Sequence, residues 1–309
     1  MPRYDIYQKF NDERYYESGF YYHIWRGLLF QNDVNLKKNH IRLKLIAKSK
    51  SMEKEIANIQ LILKSDLSNV PLPETFYSIF REEGDEFFNH TKDLGKVGPN
   101  SVVLDIGCGI GKMAMPFTKF LSTEGKYYGF DIVKFAIDRC KEHIEVKYPN
   151  FHFDWFDIQS GFYNKEGQKT SSNFASPYEN SFFDLIFLNS VFTHMFPKDI
   201  ENYLSEIFRV LKPGGRCVGT FLLVNKESVK LMQQTPDLPP DFKLKKITEE
   251  YYTPFENNPE KVIGHDENFV LKLLIKHGFK IEEPIRYGYW CGRNKGEYRQ
   301  DIVVGTKPL

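Results

Sequence analysis

Three glycines and one aspartate carry the strongest chemical signal in the sequence. They lie in the run Val102-Val-Leu-Asp-Ile-Gly-Cys-Gly-Ile-Gly111, where an apolar stretch precedes the first glycine. Glycines that follow a buried strand and open a helix let a ligand approach the backbone at the carboxyl edge of a sheet. Taken alone, the glycines would also suit a nicotinamide or flavin enzyme, or a tight strand-to-helix turn.

Asp105 separates these alternatives. A carboxylate two residues before the first glycine, Gly107, would lie close to the pyrophosphate of a dinucleotide and repel it. A sulfonium cofactor carries no phosphate but does carry an ammonium group, for which a fixed carboxylate is a good partner. The third glycine, Gly111, also comes one residue earlier than in the dinucleotide fingerprint. The motif therefore favours a methyl donor over a dinucleotide.

Further aspartates mark the ends of later strands. Asp131 ends the second predicted strand, where it would accept hydrogen bonds from two ribose hydroxyls, or else cap the following helix. Asp157 ends the third predicted strand, where it would reach the amino group of adenine, or else serve as a turn residue. Asp184 begins the fourth strand at the opposite edge and is interpreted as structural.

The elements that must position these residues alternate between strands and helices from Ser101 onward. Short apolar runs predict seven strands, at 102–106, 127–130, 151–156, 182–188, 216–224, 279–290 and 299–307. Helical spacing predicts intervening helices at 111–121, 133–147, 200–211 and 266–277. Such alternation implies an α/β fold with a doubly wound, largely parallel sheet. A short turn joins the last two strands, so this pair is expected to be antiparallel.

The first hundred residues follow a different pattern. Residues 1–30 are crowded with tyrosine and phenylalanine, whereas 34–67 show aliphatic residues at helical spacing. A short helix is expected at 83–94, with a boundary at 96–100. We therefore expect a mainly helical extension over residues 1–98, which closes the acceptor side or makes a homodimer contact, and an α/β domain over 99–309.

Composition and charge exclude several classes of function. The chain has 42 basic and 41 acidic residues, so no strong field would recruit nucleic acid or an anionic membrane. Its four cysteines are scattered without C-x-x-C spacing, which argues against disulfides and thiolate zinc sites. No H-E-x-x-H pattern or aspartate pair predicts a metal site. No export signal and no membrane-spanning run is apparent, so a cytoplasmic location is expected.

Over about two thirds of the chain, roughly residues 99–308, these motifs resemble class I S-adenosylmethionine-dependent methyltransferases. The resemblance rests on the D-x-G-x-G-x-G run, on the acids after the second and third strands, and on the segments Phe183 to His194 and Leu204 to Gly215. It implies S-adenosylmethionine as the cofactor and a Rossmann-like, seven-stranded sheet with an antiparallel last strand.

The resemblance also implies which residues bind the cofactor. In the family, the acid before the first glycine and the glycine loop hold the methionine part, the acid after the second strand binds ribose, and the residue after the third strand touches adenine. These roles carry over to Asp105, Gly107, Cys108, Gly109, Gly111, Asp131, Ile132, Asp157 and Ile158. Asn189, just after the fourth strand, would line the methionine end.

His194 is the best candidate for a general base. Methyl transfer from a sulfonium needs no metal, but an alcohol acceptor must lose its proton. His194 follows the fourth strand, at the carboxyl edge where ligands bind in such sheets. Alternatively, His194 packs beneath the cofactor or caps the next helix.

The acceptor pocket is expected to form from segments that leave the same edge, at 159–180, 225–266 and 291–297. The residues predicted to contact the substrate are His265, Asp266, Trp290 and Arg293. Each also has an ordinary interpretation, such as a helix cap for Asp266, a core position for Trp290 or a solvated turn for Arg293.

The chemical class of the acceptor follows from weaker signals. The segment Ser190 to Met195 and the tail from Gly288 resemble uncharacterised bacterial and archaeal methyltransferases, some of which are thought to act on sugars or glycans. A hydroxyl or an amine of a sugar or another small molecule is therefore the predicted acceptor. Nucleic-acid bases are not, because Asn189 is followed by Ser-Val-Phe rather than by two prolines and an aromatic residue.

Two other functions remain open from the sequence. One is a nicotinamide-dependent oxidoreductase on the same fold, against which Asp105 and the glycine spacing count. The other is a non-catalytic methyltransferase-like subunit, against which the intact glycine loop and acids count.

Overall fold

The structure is a computed structural model that describes residues 74–309, with side chains from Gly84 onward. The chain divides between Phe80 and Arg81, and the unit that ends at Leu309 is the one discussed below. The helical spacing at 34–67 and the predicted lid or dimer contact lie outside the described residues. The domain boundary near residue 98 stays a prediction.

Within the described residues, the main sheet has seven strands. In chain order these are β1 (Val102–Ile106), β2 (Lys126–Asp131), β3 (Phe151–Trp155), β4 (Phe183–Leu188), β5 (Leu211–Phe221), β6 (Lys280–Ile281) and β7 (Asp301–Thr306). Across the sheet the order is β3-β2-β1-β4-β5-β7-β6. Strands β1 to β5 pair in parallel, and β7 is antiparallel to both of its neighbours. The predicted Rossmann-like fold with an antiparallel last strand is confirmed.

Helices accompany the strands where the sequence pattern predicts them. They are α1 (Glu74–Gly95), α2 (Ala114–Phe120), α3 (Lys134–Cys140), α4 (Pro197–Val210), α5 (Lys226–Gln234) and α6 (Glu267–Lys276). Helix α3 is shorter than the expected helix at 133–147 and passes into a π-helical turn at Lys141–Glu145. Helix α5 was not anticipated. Its N-terminus is a capping box, in which Asn225 and Ser228 bond reciprocally.

Apolar residues on successive positions of β1 explain why both faces of the sheet are covered. Leu104 and Ile106 belong to the apolar cluster that contains residues of α4 and α6, whereas Val103 belongs to the cluster with α2 and α3. Alternate side chains of a strand point to opposite faces, so a strand covered on both sides is largely apolar, and in β1 the buried Asp105 is the exception. Asp184, at the amino edge, accepts the Val102 N–H at 2.8 Å, as its structural interpretation requires.

The expected strand at 279–290 is largely wrong. Only Lys280–Ile281 pair with β7, and the following residues run as an irregular segment with one isolated bridge between Arg286 and Ile302. Pro284 lies in this segment and has no N–H to donate to a ladder. Apart from the bridge at Arg286, the chain between Pro284 and Gln300 therefore runs outside the main sheet.

Small sheets occupy two of the segments predicted to form the acceptor pocket. Four short strands, at Leu223–Val224, Lys245–Lys246, Tyr251–Thr253 and Gly264–Asp266, form one of them. The other consists of Ile158–Gln159 and Lys169–Thr170, which pair in parallel inside the segment at 159–180. Both segments are thus ordered by backbone pairing.

Candidate functional site

The glycine loop joins β1 to α2 at the carboxyl edge of the sheet. Gly107, Gly109 and Gly111 have φ angles of 74°, 53° and 85°, in the left-handed region that glycine adopts without a Cβ penalty. The N–H groups of Gly107 and Cys108 both donate to the Phe130 carbonyl, at 2.8 and 3.0 Å. The loop is therefore anchored to the end of β2.

The three glycines of this loop face different surroundings. A Cβ on Gly107 would collide with Val191, and one on Gly111 would collide with Ile144. A Cβ on Gly109 would meet no atom within 4 Å. Packing of the chain itself therefore requires glycine at two positions, whereas Gly109 borders open space that a side chain would fill and a bound cofactor can occupy.

Asp131 at the end of β2 lies beside this open space. Its Oδ2 accepts the Gly109 N–H at 2.8 Å, and its Oδ1 accepts the Val133 N–H at 2.9 Å. Burial raises the pKa of Asp131, against the opposing effect of the backbone N–H groups that it accepts. Each carboxylate oxygen can accept a further hydrogen bond. Asp131 can therefore hold the loop, close the turn that precedes α3 and still accept ribose hydroxyls.

Asp105 lies beneath the glycine loop and is 1% exposed. The Tyr127 hydroxyl donates to its Oδ2 at 2.5 Å. Burial raises the pKa of Asp105 to about 7, with a smaller contribution from the Asp131 charge and an opposing one from the Tyr127 hydrogen bond. Near neutral pH the carboxyl is partly protonated, and a cation placed beside it would favour the ionised form.

The two residues predicted at the adenine side, Asp157 and Ile158, follow the end of β3. Asp157 is half-buried and its Oδ1 accepts the Asn164 amide at 3.0 Å, while Ile158 is fully buried. Of the other residues predicted to bind the cofactor, Ile132, just after β2, is half-buried, and Cys108, within the glycine loop, is buried. Asp157 therefore also anchors the segment at 159–180, a role that its position at a strand end does not reveal.

Asn189 follows β4 and is held from the far end of the chain. The Tyr298 hydroxyl donates to its Oδ1 at 3.4 Å. The neighbouring Ser190 has a positive φ of 62°; its Oγ accepts from the Gln300 amide at 3.1 Å and its N–H donates to Thr220 at 2.7 Å. These contacts fix the backbone turn after β4. Sequence reasoning missed the residues that make them, because they are distant along the chain.

His194 is the last residue of a short 3₁₀ turn, Phe192–His194, and lies four residues after Ser190. Its Nδ1 lies 2.8 Å from the Glu260 carbonyl, and its Nε2 lies 3.2 Å from the Tyr163 hydroxyl. A carbonyl can only accept, so Nδ1 carries the proton and Nε2 accepts from Tyr163. The ring is half-buried and stacks on Phe162. His194 is thus held in the tautomer that a general base requires.

Two of the residues predicted to contact substrate lie in the small four-stranded sheet. His265 is fully buried, and its Nε2 donates to the Met195 carbonyl at 3.0 Å. Burial lowers the pKa of His265 to about 4. Asp266 caps α6 by accepting the Phe269 N–H at 3.0 Å. The contact of Asp266 agrees with its interpretation as a helix cap, His265 is a buried, hydrogen-bonded residue, and substrate contact by either stays a prediction.

The other two lie in the segment before β7. Trp290 is 1% exposed, and its Nε1 donates to Asp301 at 2.7 Å. Arg293 donates to the Gly288 carbonyl at 2.6 Å and pairs with Glu227 at 3.0 Å. Trp290 is a core residue in this structure, and Arg293 is an ordered ion-pair residue rather than a solvated one. Their contact with substrate also stays a prediction.

Neither a metal-ion cluster nor a membrane-spanning helix is present in residues 74–309. No three histidine, cysteine, aspartate or glutamate side chains in this part of the chain are grouped to hold a metal ion. No helix in the same range is long and apolar enough to cross a membrane.

A parallel sheet with an antiparallel last strand, a left-handed glycine loop after β1 and an acid after β2 define a class I methyltransferase fold. The family model described as a methyltransferase domain matches residues 98–259, just over half of the chain. The chain therefore belongs to this methyltransferase family, and its cofactor is S-adenosylmethionine.

Individual relatives are more distant. The 2-phytyl-1,4-naphtoquinone methyltransferase of Trichormus variabilis is 24% identical over 44% of this chain and 53% of its own length. The sterol 24-C-methyltransferase of Schizosaccharomyces pombe is 29% identical over 38% of this chain and 27% of its own length. The match thus spans about half or less of these curated relatives.

Among solved structures, the magnesium protoporphyrin IX methyltransferase of Synechocystis PCC 6803 with bound SAH aligns with a TM-score of 0.47 and 13% identity. The alignment covers 84% of this chain and 100% of the other.

Proposed function

We propose that this protein transfers the methyl group of S-adenosylmethionine to a hydroxyl group of a small molecule. The observation that carries the proposal is the fixed tautomer of His194 just beyond β4, at the sheet edge that also bears Gly109 and Asp131. An amine is the alternative acceptor. A sugar or glycan as the acceptor molecule stays a prediction, because the named relatives act on a quinone and a sterol.

The residues at the carboxyl edge fit the cofactor. When bound, S-adenosylmethionine supplies a methyl group that is already activated by its positive sulfur. Gly109 leaves room for it, Asp131 accepts the ribose hydroxyls, and the carboxylate of Asp105 favours the ammonium of the methionine part from beneath the loop. Their task is to fix the donor so that the acceptor atom lies in line with the breaking bond.

The reaction also requires that the acceptor hydroxyl lose its proton. An alcohol is a weak nucleophile until its proton is removed, and a neutral imidazole at the acceptor is a suitable base. His194 meets this requirement because the Glu260 carbonyl keeps the proton on Nδ1. An amine acceptor that arrives unprotonated needs the base less, so the effect of removing His194 distinguishes the two acceptor classes.

The proposal is tested by binding and by turnover. Calorimetric titration is expected to show binding of S-adenosylhomocysteine and none of NAD; the reverse would favour the oxidoreductase. Radiolabelled methyl transfer is then measured to UDP-sugars, glycan fragments, menadiol, a catechol and a primary amine. Tight binding of S-adenosylhomocysteine without transfer to any of them would support the non-catalytic alternative.

Removal of the Asp131 carboxylate is expected to weaken S-adenosylhomocysteine binding by about 1.5–3 kcal/mol, the range for lost charge-assisted hydrogen bonds. The variant Asp131→Ala also loses the hydrogen bonds to the Gly109 and Val133 N–H groups, so Asp131→Asn, which retains an accepting oxygen, separates ligand binding from stability. Calorimetry measures the affinity. Asp138→Ala, which removes an exposed carboxylate paired with Lys134, is the control and is expected to bind normally. Normal binding by both Asp131 variants would remove this residue from the site.

Binding of the cofactor product is also expected to release a fraction of a proton near neutral pH. In the free protein the pKa of Asp105 is raised to about 7, and an ammonium group beside it would lower that pKa. Because the free protein holds the extra proton below this pKa, affinity is expected to fall by at most about tenfold per pH unit as the pH drops below 7. Calorimetry in two buffers of different ionisation enthalpy measures the release. No release in the wild type, or the same release in Asp105→Asn, would contradict the ammonium contact.

A further inference from the structure

A second proton-carrying group contacts the proposed base. The Tyr163 hydroxyl lies 3.2 Å from Nε2 of His194, and the two rings meet edge to face with their centroids 5.1 Å apart. Since Nδ1 is committed to the Glu260 carbonyl, Tyr163 is the donor in this hydrogen bond. The nitrogen that would accept the proton of the substrate is therefore already covered by a phenol.

We infer that Tyr163 relays the proton of the acceptor hydroxyl to His194, so that the catalytic base is the pair rather than the histidine alone. This inference rests on the proposed function. It assigns to the segment at 159–180 a direct part in catalysis, and it makes Tyr163 the residue that contacts the acceptor hydroxyl.

The chain around Tyr163 is held on one side by the residues that follow β3. Asn164 donates to Asp157 Oδ1 at 3.0 Å and to the Ile158 carbonyl at 3.1 Å, directly after β3. The backbones of Ser160 and Asn164 also bond to each other in both directions, at 2.9 and 3.2 Å. The turn that bears Tyr163 is thus closed on itself and tied to the sheet.

Glu260 holds the other side. Burial raises the pKa of its carboxyl, against the opposing effect of the polar groups of Gly161 and Ser160, while its backbone carbonyl holds Nδ1 of His194. A Cβ on Gly161 would collide with the carboxylate, which shows how closely the two segments approach. One residue therefore fixes the positions of both members of the pair. Because the turn is braced on both sides, we take the phenol to stay on the imidazole while the acceptor enters.

A proton relay from the acceptor through Tyr163 to His194 is consistent with this geometry, and every proton and electron pair in it is accounted for. The acceptor O–H gives its proton to Oη of Tyr163 as the Tyr163 proton passes to Nε2 of His194. The acceptor oxygen forms its bond to the methyl carbon while the bond from that carbon to sulfur breaks, and the electron pair stays on sulfur. Tyr163 ends neutral, and the imidazolium returns its proton to solvent.

Substitution of Tyr163 by phenylalanine tests the relay. The ring and its edge-to-face contact remain, but the hydroxyl is lost, so kcat is expected to fall about 10²-fold on a hydroxyl acceptor, the lower range for general-base catalysis. The dissociation constant of S-adenosylhomocysteine is expected to stay unchanged. Nitrogen NMR of His194 provides a readout independent of activity, because loss of the donor is expected to shift the Nε2 resonance.

Three comparisons decide the outcome. The double variant H194A/Y163F is expected to be no slower than His194→Ala, because two groups in one relay are not additive. Tyr148→Phe, which removes a hydroxyl at the opposite edge just before β3, is the control. Full or increased activity of Tyr163→Phe would overturn the relay but not the proposed function. An unchanged Nε2 resonance of His194 in that variant would do the same. If the wild-type protein transferred no methyl group to any test compound, the proposed function would fail instead.

Discussion

Valine at position 109 is expected to abolish measurable binding of S-adenosylhomocysteine while the protein still folds. The structure leaves open space beside Gly109, so a Cβ there meets no protein atom within 4 Å, and we expect the branched side chain to enter the space proposed for the cofactor. The left-handed φ of 53° adds a backbone cost, about 1–2 kcal/mol for a residue with a Cβ. Calorimetry measures the binding, and thermal unfolding followed by circular dichroism measures the stability.

Two other glycines serve as controls for this substitution. Gly98 also has open space around it but no positive φ, and it precedes β1 at the opposite edge, so Gly98→Val is expected to bind normally. Gly111→Ala is expected to lower the unfolding temperature more than Gly109→Ala, because its Cβ collides with Ile144. Normal binding by Gly109→Val would show that the cofactor does not occupy this space.

Alanine at position 194 is expected to lower turnover on a hydroxyl acceptor by roughly 10²- to 10⁴-fold, the usual contribution of a general base. Affinity for S-adenosylhomocysteine is expected to change little, because the residues proposed to hold that ligand, the glycine loop and Asp131, follow other strands. The pH profile of the rate is expected to lose a limb in the range where histidine ordinarily titrates. Steady-state kinetics across this range provide the measurement.

The control for this variant is His143→Ala, at a side chain that lies on the surface of the π-helical turn after α3. It is expected to turn over at the wild-type rate. Full activity of His194→Ala on a hydroxyl acceptor would leave His194 as a packing residue. If the acceptor is instead an amine, the same substitution is expected to lower turnover only mildly, because an unprotonated amine needs a base less.

Local signals account for what the sequence predicted well. The strand at 102–106 is mostly apolar and ends in glycines, and the strand at 151–155 has buried phenylalanines at alternate positions, so the pattern of neighbouring residues predicts both strands. Asp266 has a cap position before a helical pattern, and it caps α6. The glycine loop is equally local, because its three left-handed residues belong to one stretch of chain.

Contacts between distant segments account for what the sequence did not predict. Tyr163 and His194 are 31 residues apart, and Tyr298 and Asn189 are 109 apart, so no spacing rule connects either pair. The irregular path of the chain after β6 was not predicted for the same reason, because it depends on contacts with distant segments such as the bridge between Arg286 and Ile302. The position of Asp131 at a strand end predicts its place at the carboxyl edge but not its bond to the Gly109 N–H, because that bond depends on how the glycine loop folds back.

The unequal surroundings of the three loop glycines have an evolutionary consequence. Selection for folding alone preserves glycine at 107 and 111, because Val191 and Ile144 leave no room for a larger residue. At 109 the left-handed φ disfavours any Cβ, but no neighbouring protein atom opposes a larger side chain, so the additional penalty would come from a bound ligand. A descendant of this protein that lost cofactor binding but kept its fold would therefore be free to accumulate larger residues at 109 before the other two positions changed. Substitution at that single position, with its two neighbours intact, would mark relatives that have become non-catalytic.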